Sequence, residues 1–279
     1  MVSVRDRFER RYRGTVRAIV FDWAGTVLDY GSRAPAGVFV EVFKRHAVML
    51  TPEEARGPMG MEKRAHIASL AGLPAVQRQW QAANGRAIAE PDIDEMYREF
   101  LPLQLECLPQ YADLIPGTLD VVERCRKRAI KIGTSTGYAR VLMDVLVPEA
   151  QRRGFAADAV VTADDVPQGR PAPWMCFENA KCLGVWPMES IVVVDDTIPG
   201  LEAGLNSGMW TVGVAKSGNE IGLSLAEIAS LAPADYQRRL DAAYDRLFRG
   251  GAHYVVDSVA DLMPVIDDIE ARLAGGARP

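Results

Sequence analysis

The stretch that most constrains the fold is residues 16–26, in which an apolar run stops at an acid. Residues 18–21 are rich in β-branched and aromatic side chains, Asp22 follows them, and a small-residue turn comes next. This pattern predicts a buried strand of a parallel sheet. Ligands bind beyond the carboxyl ends of such strands, so Asp22 is predicted to lie where a reactive group is needed. The turn after it can offer backbone N–H groups to an anion.

Five further apolar runs of strand length follow later in the chain, and amphipathic helical patterns separate most of them, as at residues 117–128 and 174–183. The strands are predicted at residues 129–134, 157–162, 191–194, 210–214 and 253–256. Alternating apolar strands and helices predict an α/β fold, a Rossmann-like parallel sheet with helices on both faces.

Residues 36–108 interrupt this alternation, because apolar residues recur there at helical spacing without a convincing strand. Turn-rich connectors flank the block at residues 30–36 and 109–117. We therefore predict an inserted α-helical cap. The predicted division is core at residues 1–30, cap at 31–112 and core again at 113–279.

Composition excludes several classes of function. A net charge of -5 without a dense basic patch argues against a nucleic-acid partner, and no apolar run is long enough for a membrane span. The four cysteines form no CxxC pair, which predicts reduced thiols in a cytoplasmic protein. The Arg-rich residues 1–14 lack the apolar core of a secretory signal and are predicted to be a loose arm, with a transit peptide as the alternative.

Four chemically distinct side chains follow predicted strands or lie in the loops after them: Asp22, Thr136, Arg170 and Asp196. Two acids, a hydroxyl and a cation at one sheet edge predict a site for a phosphoryl group and a divalent cation. Asp22 can attack phosphorus and form an aspartyl phosphate. Mg²⁺ prefers oxygen ligands, here the two carboxylates and a backbone carbonyl.

Each of these residues also has a plain structural explanation. Asp22 can cap a turn, Thr136 can be a turn hydroxyl, and Arg170 can be a solvated loop side chain. The pair Asp195-Asp196 directly follows an apolar run and is harder to explain as a turn. The pair Asp164-Asp165 is predicted to serve the loop after its strand.

Four segments, in this order, resemble the motifs of the haloacid dehalogenase superfamily, and within it the phosphonatase (phosphonoacetaldehyde hydrolase) family. They are Phe21-Asp22-Trp23-Ala24-Gly25-Thr26, Thr134-Ser135-Thr136-Gly137-Tyr138, Gly169-Arg170-Pro171-Ala172-Pro173-Trp174 and Val194-Asp195-Asp196-Thr197. The resemblance covers residues 16–223. It implies a Mg²⁺-dependent homodimer that hydrolyses the C–P bond of phosphonoacetaldehyde to acetaldehyde and phosphate, in 2-aminoethylphosphonate degradation.

The predicted cap contains Pro58-Met59-Gly60-Met61-Glu62-Lys63-Arg64-Ala65-His66, which resembles the phosphonatase segment with a Schiff-base lysine. The resemblance implies that Lys63 forms the imine and that His66, three residues later on the same helix face, moves protons. The alternative is a solvated helix with an incidental lysine. The resemblance also places five residues near the substrate: Met59, Gly60, Thr136, Tyr138 and Arg170. For Met59, Gly60 and Tyr138 the plain alternatives are a core thioether, a turn glycine and a core aromatic.

Ala24 stands where many superfamily phosphatases carry an aspartate that protonates the leaving group. Without that acid an alkoxide would leave poorly. Cleavage of a C–P bond instead needs an electron sink, which an imine on Lys63 supplies. The resemblance implies that the metal is held by the Asp22 and Asp196 carboxylates and the backbone of Ala24.

Two positions depart from the resemblance: Asp195 replaces a common glycine, and Gly200 replaces a further acid near the metal. Either Asp195 or water can take over as an outer ligand. Three rival functions stay open. They are a metal-independent haloacid dehalogenase, a phosphatase or other hydrolase acting on another small substrate, and a silent binding protein on this fold.

Overall fold

The computed structural model describes residues 11–279, and these form one six-stranded sheet. The strands are β1 (Ala18–Phe21), β2 (Lys131–Thr136), β3 (Ala159–Thr162), β4 (Ile191–Asp195), β5 (Trp210–Val214) and β6 (Tyr254–Val256). Their order is β3-β2-β1-β4-β5-β6, and every neighbouring pair is parallel. The predicted α/β fold with a parallel sheet is confirmed.

Strand β1 lies at the centre, and its register sets the position of the site. Phe21 is aligned with Thr134 of β2 on one side and with Val194 of β4 on the other. The backbone N–H of Asp22 still donates to the Val194 carbonyl, at 2.9 Å. The residues that follow β1, β2 and β4 therefore meet at one edge of the sheet.

Helices cover both faces of the sheet. They are α6 (Thr118–Lys127), α7 (Arg140–Arg152), α8 (Trp174–Leu183), α9 (Ile198–Asn206), α10 (Leu225–Ser230), α11 (Pro233–Arg249) and α12 (Leu262–Ala274). Successive β1 side chains point to opposite faces. Ile19 and Phe21 join the cluster with residues of α6, α7 and α12, whereas Ala18 and Val20 join the one with α8 and α9.

Five helices lie between β1 and α6 in the chain: α1 (Arg33–Arg45), α2 (Pro52–Arg56), α3 (Lys63–Ala71), α4 (Pro74–Asn84) and α5 (Glu90–Cys107). Their apolar faces form a separate cluster built around buried aromatic residues, including Phe39, Phe43, Trp80 and Phe100. We call α1–α5 and their loops the cap segment. The boundaries 1–30, 31–112 and 113–279 stay a prediction.

Local differences from the sequence predictions are small. The strand predicted at 129–134 begins at Lys131, because Ala129 adopts φ 56° in the turn that follows α6. The strand also extends further than predicted, so Thr136 is the last residue of β2 instead of following the strand. Most of the predicted arm, residues 1–10, lies outside the described residues. No helix in residues 11–279 has the length and apolar character that crossing a membrane requires.

Candidate active site

Three buried acids meet at the edge of the sheet where β1 and β4 end: Asp22, Asp195 and Asp196. Carboxylate oxygens of the three lie within 4.8 Å of one another. Burial raises the pKa of Asp22 to about 7, and repulsion from Asp195 adds to this effect. Burial, with repulsion from Asp22 and Asp195, raises the pKa of Asp196 well above its usual value. Such a cluster is stable in its ionised form only beside positive charge.

Arg170 supplies part of that charge and is itself buried. Its Nη1 lies 2.8 Å from Asp22 Oδ1, and its Nη2 lies 3.0 Å from Asp195 Oδ2. Nη2 also donates to the carbonyl and hydroxyl oxygens of Ser135, at 2.9 and 2.8 Å. Burial opposes the charge, but the two carboxylates outweigh it and raise the pKa of Arg170. Arg170 is therefore not a solvated loop side chain.

The donor set at this edge fits a divalent cation. Asp196 accepts a hydrogen bond from the Thr26 hydroxyl at 3.1 Å and from the Asn219 backbone N–H at 2.7 Å. All three acids offer hard carboxylate oxygens, as Mg²⁺ requires. Arg170 carries one positive charge against three carboxylates, so a bound divalent cation would balance the remaining negative charge. Ala24 lines the cavity beside the cluster.

Asp195 and Gly200 fit each other sterically. Asp195 Oδ1 accepts hydrogen bonds from the backbone N–H and the hydroxyl of Thr197, at 2.9 and 2.7 Å. A Cβ atom built on Gly200 would lie only 1.9 Å from Asp195 Oδ2. The carboxylate of residue 195 thus fills the space that a side chain at position 200 would need. The two departures from the family pattern are therefore complementary.

Lys63 is buried on the cap side of the same cavity, with only 2 % of the residue exposed. It is the first residue of α3, whose N-terminus is capped by Glu62 through bonds to the Arg64 and Ala65 N–H groups. Lys63 Nζ lies 4.8 Å from the ring centre of Tyr138. Burial lowers the pKa of Lys63 to about 8, although the Asp22 carboxylate opposes that change.

His66 lies one helical turn behind Lys63, and it is not among the residues that line the cavity in the described chain. Its ring stacks on Phe39 at 3.7 Å, and Nε2 lies 2.9 Å from the Ala55 carbonyl oxygen. A carbonyl only accepts, so Nε2 carries the hydrogen and Nδ1 has a lone pair. Within residues 11–279, Nδ1 has no hydrogen-bond partner. Burial and Lys63 hold the pKa of His66 well below its usual value, so the ring is neutral.

The cavity between cap segment and sheet is narrow, with a volume of about 20 Å³. Eight of the residues predicted for the site line it: Asp22, Ala24, Met59, Gly60, Lys63, Thr136, Tyr138 and Arg170. Thr136 also accepts a bond from the Tyr138 N–H at 3.1 Å, as its turn alternative required. Asp196 and His66 lie outside this lining. This volume is close to that of a single water, so substrate entry requires the cap segment to move.

The cap loop and the core loops approach each other closely at two glycines. Gly60 has φ +91°, and a Cβ atom there would lie 2.2 Å from the Thr197 hydroxyl oxygen. A Cβ atom on Gly137 would lie 2.3 Å from the Met61 carbonyl oxygen. Two glycines thus allow a contact that any side chain would prevent, and the structure is that of a closed cap segment.

Comparison with known proteins decides the family. A family model described as haloacid dehalogenase-like hydrolase matches residues 16–208. The phosphonoacetaldehyde hydrolase of Paraburkholderia phytofirmans is 50% identical over 95% of this chain and 99% of its own length. That of Bacillus cytotoxicus is 45% identical over 91% of this chain and 97% of its own. The chain belongs to the phosphonoacetaldehyde hydrolase family.

The family assignment extends to the three-dimensional structure. The crystal structure of a phosphonoacetaldehyde hydrolase-like protein from Oleispira antarctica has a TM-score of 0.96 and 41% identity, and covers 99% of this chain and 100% of its own. A β-phosphoglucomutase from Clostridium difficile, 15% identical with a TM-score of 0.67, shares the fold alone. The resemblance predicted from the sequence motifs is confirmed, and with it a hydrolase of this family.

Several contacts in this phosphonoacetaldehyde hydrolase family member were not predicted. Ser32, Pro35, Gly137 and Thr197 also line the cavity, and Asn219 contacts Asp196. Asn219 follows β5, so the rule that sites lie beyond strand ends could have identified it. Ser32 lies within a connector and carried no comparable signal. Asp165 bonds to Thr162 beside it, which agrees with the predicted loop role of Asp164-Asp165.

Proposed function

We propose that this protein hydrolyses the C–P bond of phosphonoacetaldehyde to acetaldehyde and phosphate. The observation that carries the proposal is that Lys63 of the cap segment and Asp22 of the sheet line the same buried cavity. An amine and a carboxylate on opposite sides of one small substrate suit a molecule with a carbonyl at one end and phosphorus at the other. Relatives of this chain bear the name of that activity.

The first step is imine formation. Neutral Lys63 Nζ attacks the aldehyde carbon, and loss of one water leaves a protonated imine. Burial lowers the pKa of Lys63 to about 8, so a useful fraction of the amine is neutral near pH 7. The family resemblance implies that His66 moves protons for this step; it lies one helical turn behind Lys63, and its Nδ1 has no hydrogen-bond partner among residues 11–279.

The second step breaks the C–P bond. An Asp22 carboxylate oxygen attacks phosphorus, the P–C bond breaks, and its electron pair passes into the protonated imine to give an enamine. Asp22 becomes an aspartyl phosphate. Ala24 cannot protonate a leaving group, and this route does not need it to, because the electron pair is taken up by the imine. Arg170 and Thr136 orient the phosphonate oxygens.

Water completes the cycle. The enamine takes a proton at carbon, and one water hydrolyses the resulting imine to acetaldehyde and free Lys63. A second water hydrolyses the aspartyl phosphate to phosphate and Asp22. Because imine formation released one water, the net reaction consumes one water per substrate.

The carboxylates of Asp22 and Asp196 and the backbone carbonyl of Ala24 would hold Mg²⁺. Bound there, Mg²⁺ supplies positive charge that offsets repulsion between the carboxylate nucleophile and the phosphonate. Asp195 contributes through Arg170, which bridges it to Asp22.

Reductive trapping tests the proposal. The protein is incubated with phosphonoacetaldehyde and borohydride, and the modified residue is mapped by mass spectrometry. We expect label on Lys63, and none in a Lys63→Ala variant. Lys44→Ala, which removes an exposed cap lysine paired with Glu41 of its own helix, serves as the control and is expected to label normally. Label on another residue, or turnover without any label, would overturn the imine.

Chelation separates the proposal from its nearest rival. We expect EDTA to abolish phosphate release and added Mg²⁺ to restore it, because the three clustered acids form a candidate site for a divalent cation. Haloacid dehalogenation needs no metal, so activity on a haloacid that survives EDTA would favour that rival. Phosphoester turnover in a Lys63→Ala variant would favour a phosphatase.

We also propose a place in 2-aminoethylphosphonate degradation, a homodimer and a cytoplasmic location, as the family resemblance implies. All four cysteines are free, which agrees with a reducing compartment. Sedimentation equilibrium tests the dimer, and a mass equal to one chain at micromolar concentration would contradict it.

A further inference from the structure

Arg56, the last residue of α2, joins three segments that are distant in the sequence. Its Nη1 donates to the carbonyl oxygens of Gly31 and Ser32 in the connector before α1, at 2.9 and 3.2 Å. Nη1 also lies 3.2 Å from Asn219 Oδ1, and Nη2 donates to the Gly222 carbonyl at 3.0 Å. The guanidinium thus connects the cap segment, its connector and the loop after β5.

The acceptors of Arg56 are neutral oxygens arranged around a planar donor group. Among residues 11–279, no carboxylate lies within ion-pair distance of it, whereas Arg45, Arg64 and Arg86 of the cap segment each have one. A Cβ atom on Gly222 would lie 2.7 Å from Arg56 Cζ, so the loop approaches the guanidinium as closely as glycine permits. Lysine has no planar fork and cannot reproduce this set of bonds.

The loop after β5, which accepts hydrogen bonds from Arg56, also donates one to Asp196 of the acid cluster. The backbone N–H of Asn219 donates to Asp196 Oδ2 at 2.7 Å, while the Asn219 side chain accepts from Arg56 and donates to its carbonyl oxygen. On the other side, Arg56 is followed within the cap segment by the loop of Met59 and Gly60 and then by Lys63. One residue therefore connects the position of Lys63 with that of Asp196.

We propose that Arg56 is a positioning residue that fastens the Lys63-bearing part of the cap segment to the core, with Asn219 as its partner. Neither residue touches the reacting atoms. Asn219 also lies outside the segment matched by the family model, so the contact is not part of that matched core. The effect on catalysis rests on the proposed function, whereas the fastening itself does not.

Hydrogen–deuterium exchange tests the fastening without any substrate. In Arg56→Ala we expect amides of residues 29–32 and 217–223 to exchange roughly tenfold faster or more, because several hydrogen bonds are lost together. Arg56→Lys is expected to behave almost like the alanine variant, and it stands in if the alanine variant does not fold. Arg45→Ala, which removes a cap arginine paired with Glu41 of its own helix, is the control and should leave both segments unchanged. Unchanged exchange in the Arg56 variants would overturn the proposal.

Kinetics test the positioning role. We expect Arg56→Ala to slow reductive labelling of Lys63 by about 100-fold, as a small misplacement of reacting groups does. Asn219→Ala keeps its backbone bond to Asp196 and removes only part of the Arg56 contacts, so it should give a smaller loss. The double variant should lose little more than Arg56→Ala alone, because Arg56→Ala already removes the contact with Asn219. If the fold losses of the two single variants multiplied in the double variant, Arg56 and Asn219 would not act through a shared contact. If the native protein shows no labelling at all, the proposed function fails while the exchange result still decides the fastening.

Discussion

Lys63 illustrates how burial changes the chemistry of a single residue. A lysine at the start of a short helix is ordinarily exposed, and here it is buried, with Nζ near the rings of Phe39 and Tyr138. Desolvation disfavours its charged form, which lowers the pKa of Lys63 to about 8. Burial thus gives a residue that the sequence pattern alone would assign to solvent the neutral amine that the proposed imine step requires.

This shift predicts a pH dependence. The neutral amine reacts, so reductive labelling of Lys63 with cyanoborohydride should rise about tenfold per pH unit below pH 8 and level off above it. Initial labelling rates measured from pH 6 to 9.5 test the prediction. A rate that continues to rise toward the pKa of a free lysine, about 10.4, would show that Lys63 is not desolvated.

Gly60 gives a second prediction at the residue scale. Gly60→Ala and Gly85→Ala both place a side chain at positive φ in the cap segment, which costs about 1–2 kcal/mol in each. Only at Gly60 does the new Cβ atom meet a core residue, the Thr197 hydroxyl at 2.2 Å, whereas Gly85 has open space. Both variants should therefore be destabilised, Gly60→Ala more than Gly85→Ala, and only Gly60→Ala should lose activity, by about 100-fold. Equal activities would show that this contact is not needed.

At the scale of elements, the start of α9 has room for one carboxylate near the acid cluster. Asp195 at the end of β4 occupies that space, and Gly200 within α9 leaves it free. Residues five apart in the chain are thus constrained as a pair, since either can contribute the acid but not both.

The pair can be tested by substitution. Gly200→Ala should lower the free energy of unfolding by about 1–3 kcal/mol through overpacking. Gly37→Ala, in the open middle of α1, should raise it by about 0.5–1 kcal/mol. Chemical denaturation measures both. Asp195→Gly combined with Gly200→Asp should be more stable than Gly200→Asp alone; equal stability would contradict the shared space.

For the whole molecule, the closed cavity of about 20 Å³ requires an opening motion of the cap segment before substrate can enter. The connectors at residues 30–36 and 109–117 are where we expect the hinge. Two non-glycine residues adopt positive φ near the first connector: Asp29 directly before it and Ser32 within it. Cap closure would then exclude water from the proposed imine.

Small-angle scattering tests this motion. The radius of gyration should be larger without ligand and decrease when Mg²⁺ and vanadate, a phosphate mimic, are added. An Arg56→Ala variant should remain expanded under the same conditions. Scattering that does not change in the native protein would argue against a large motion of the cap segment.

The sequence by itself determined the sheet, the helical insertion and most of the cavity residues. Apolar periodicity is a local property, so it predicts the strands and helices directly from the sequence. Parallel strands bring the residues after them to one edge of the sheet, so the sequence also predicts that Asp22, Arg170 and Asp196 lie close together. Family motifs added Lys63 and His66. Only the tertiary structure decided which nitrogen of His66 carries the hydrogen, because the Ala55 carbonyl that receives it comes from another element.

The tertiary structure also decided how the two halves of the site are held together. Arg56 and Asn219 are 163 residues apart, and neither has a local pattern that predicts the other. The compatibility of Asp195 with Gly200 depends on the direction in which one carboxylate points. Local sequence sets which groups are available; the distances between them arise only when β1, β4 and the cap segment pack together.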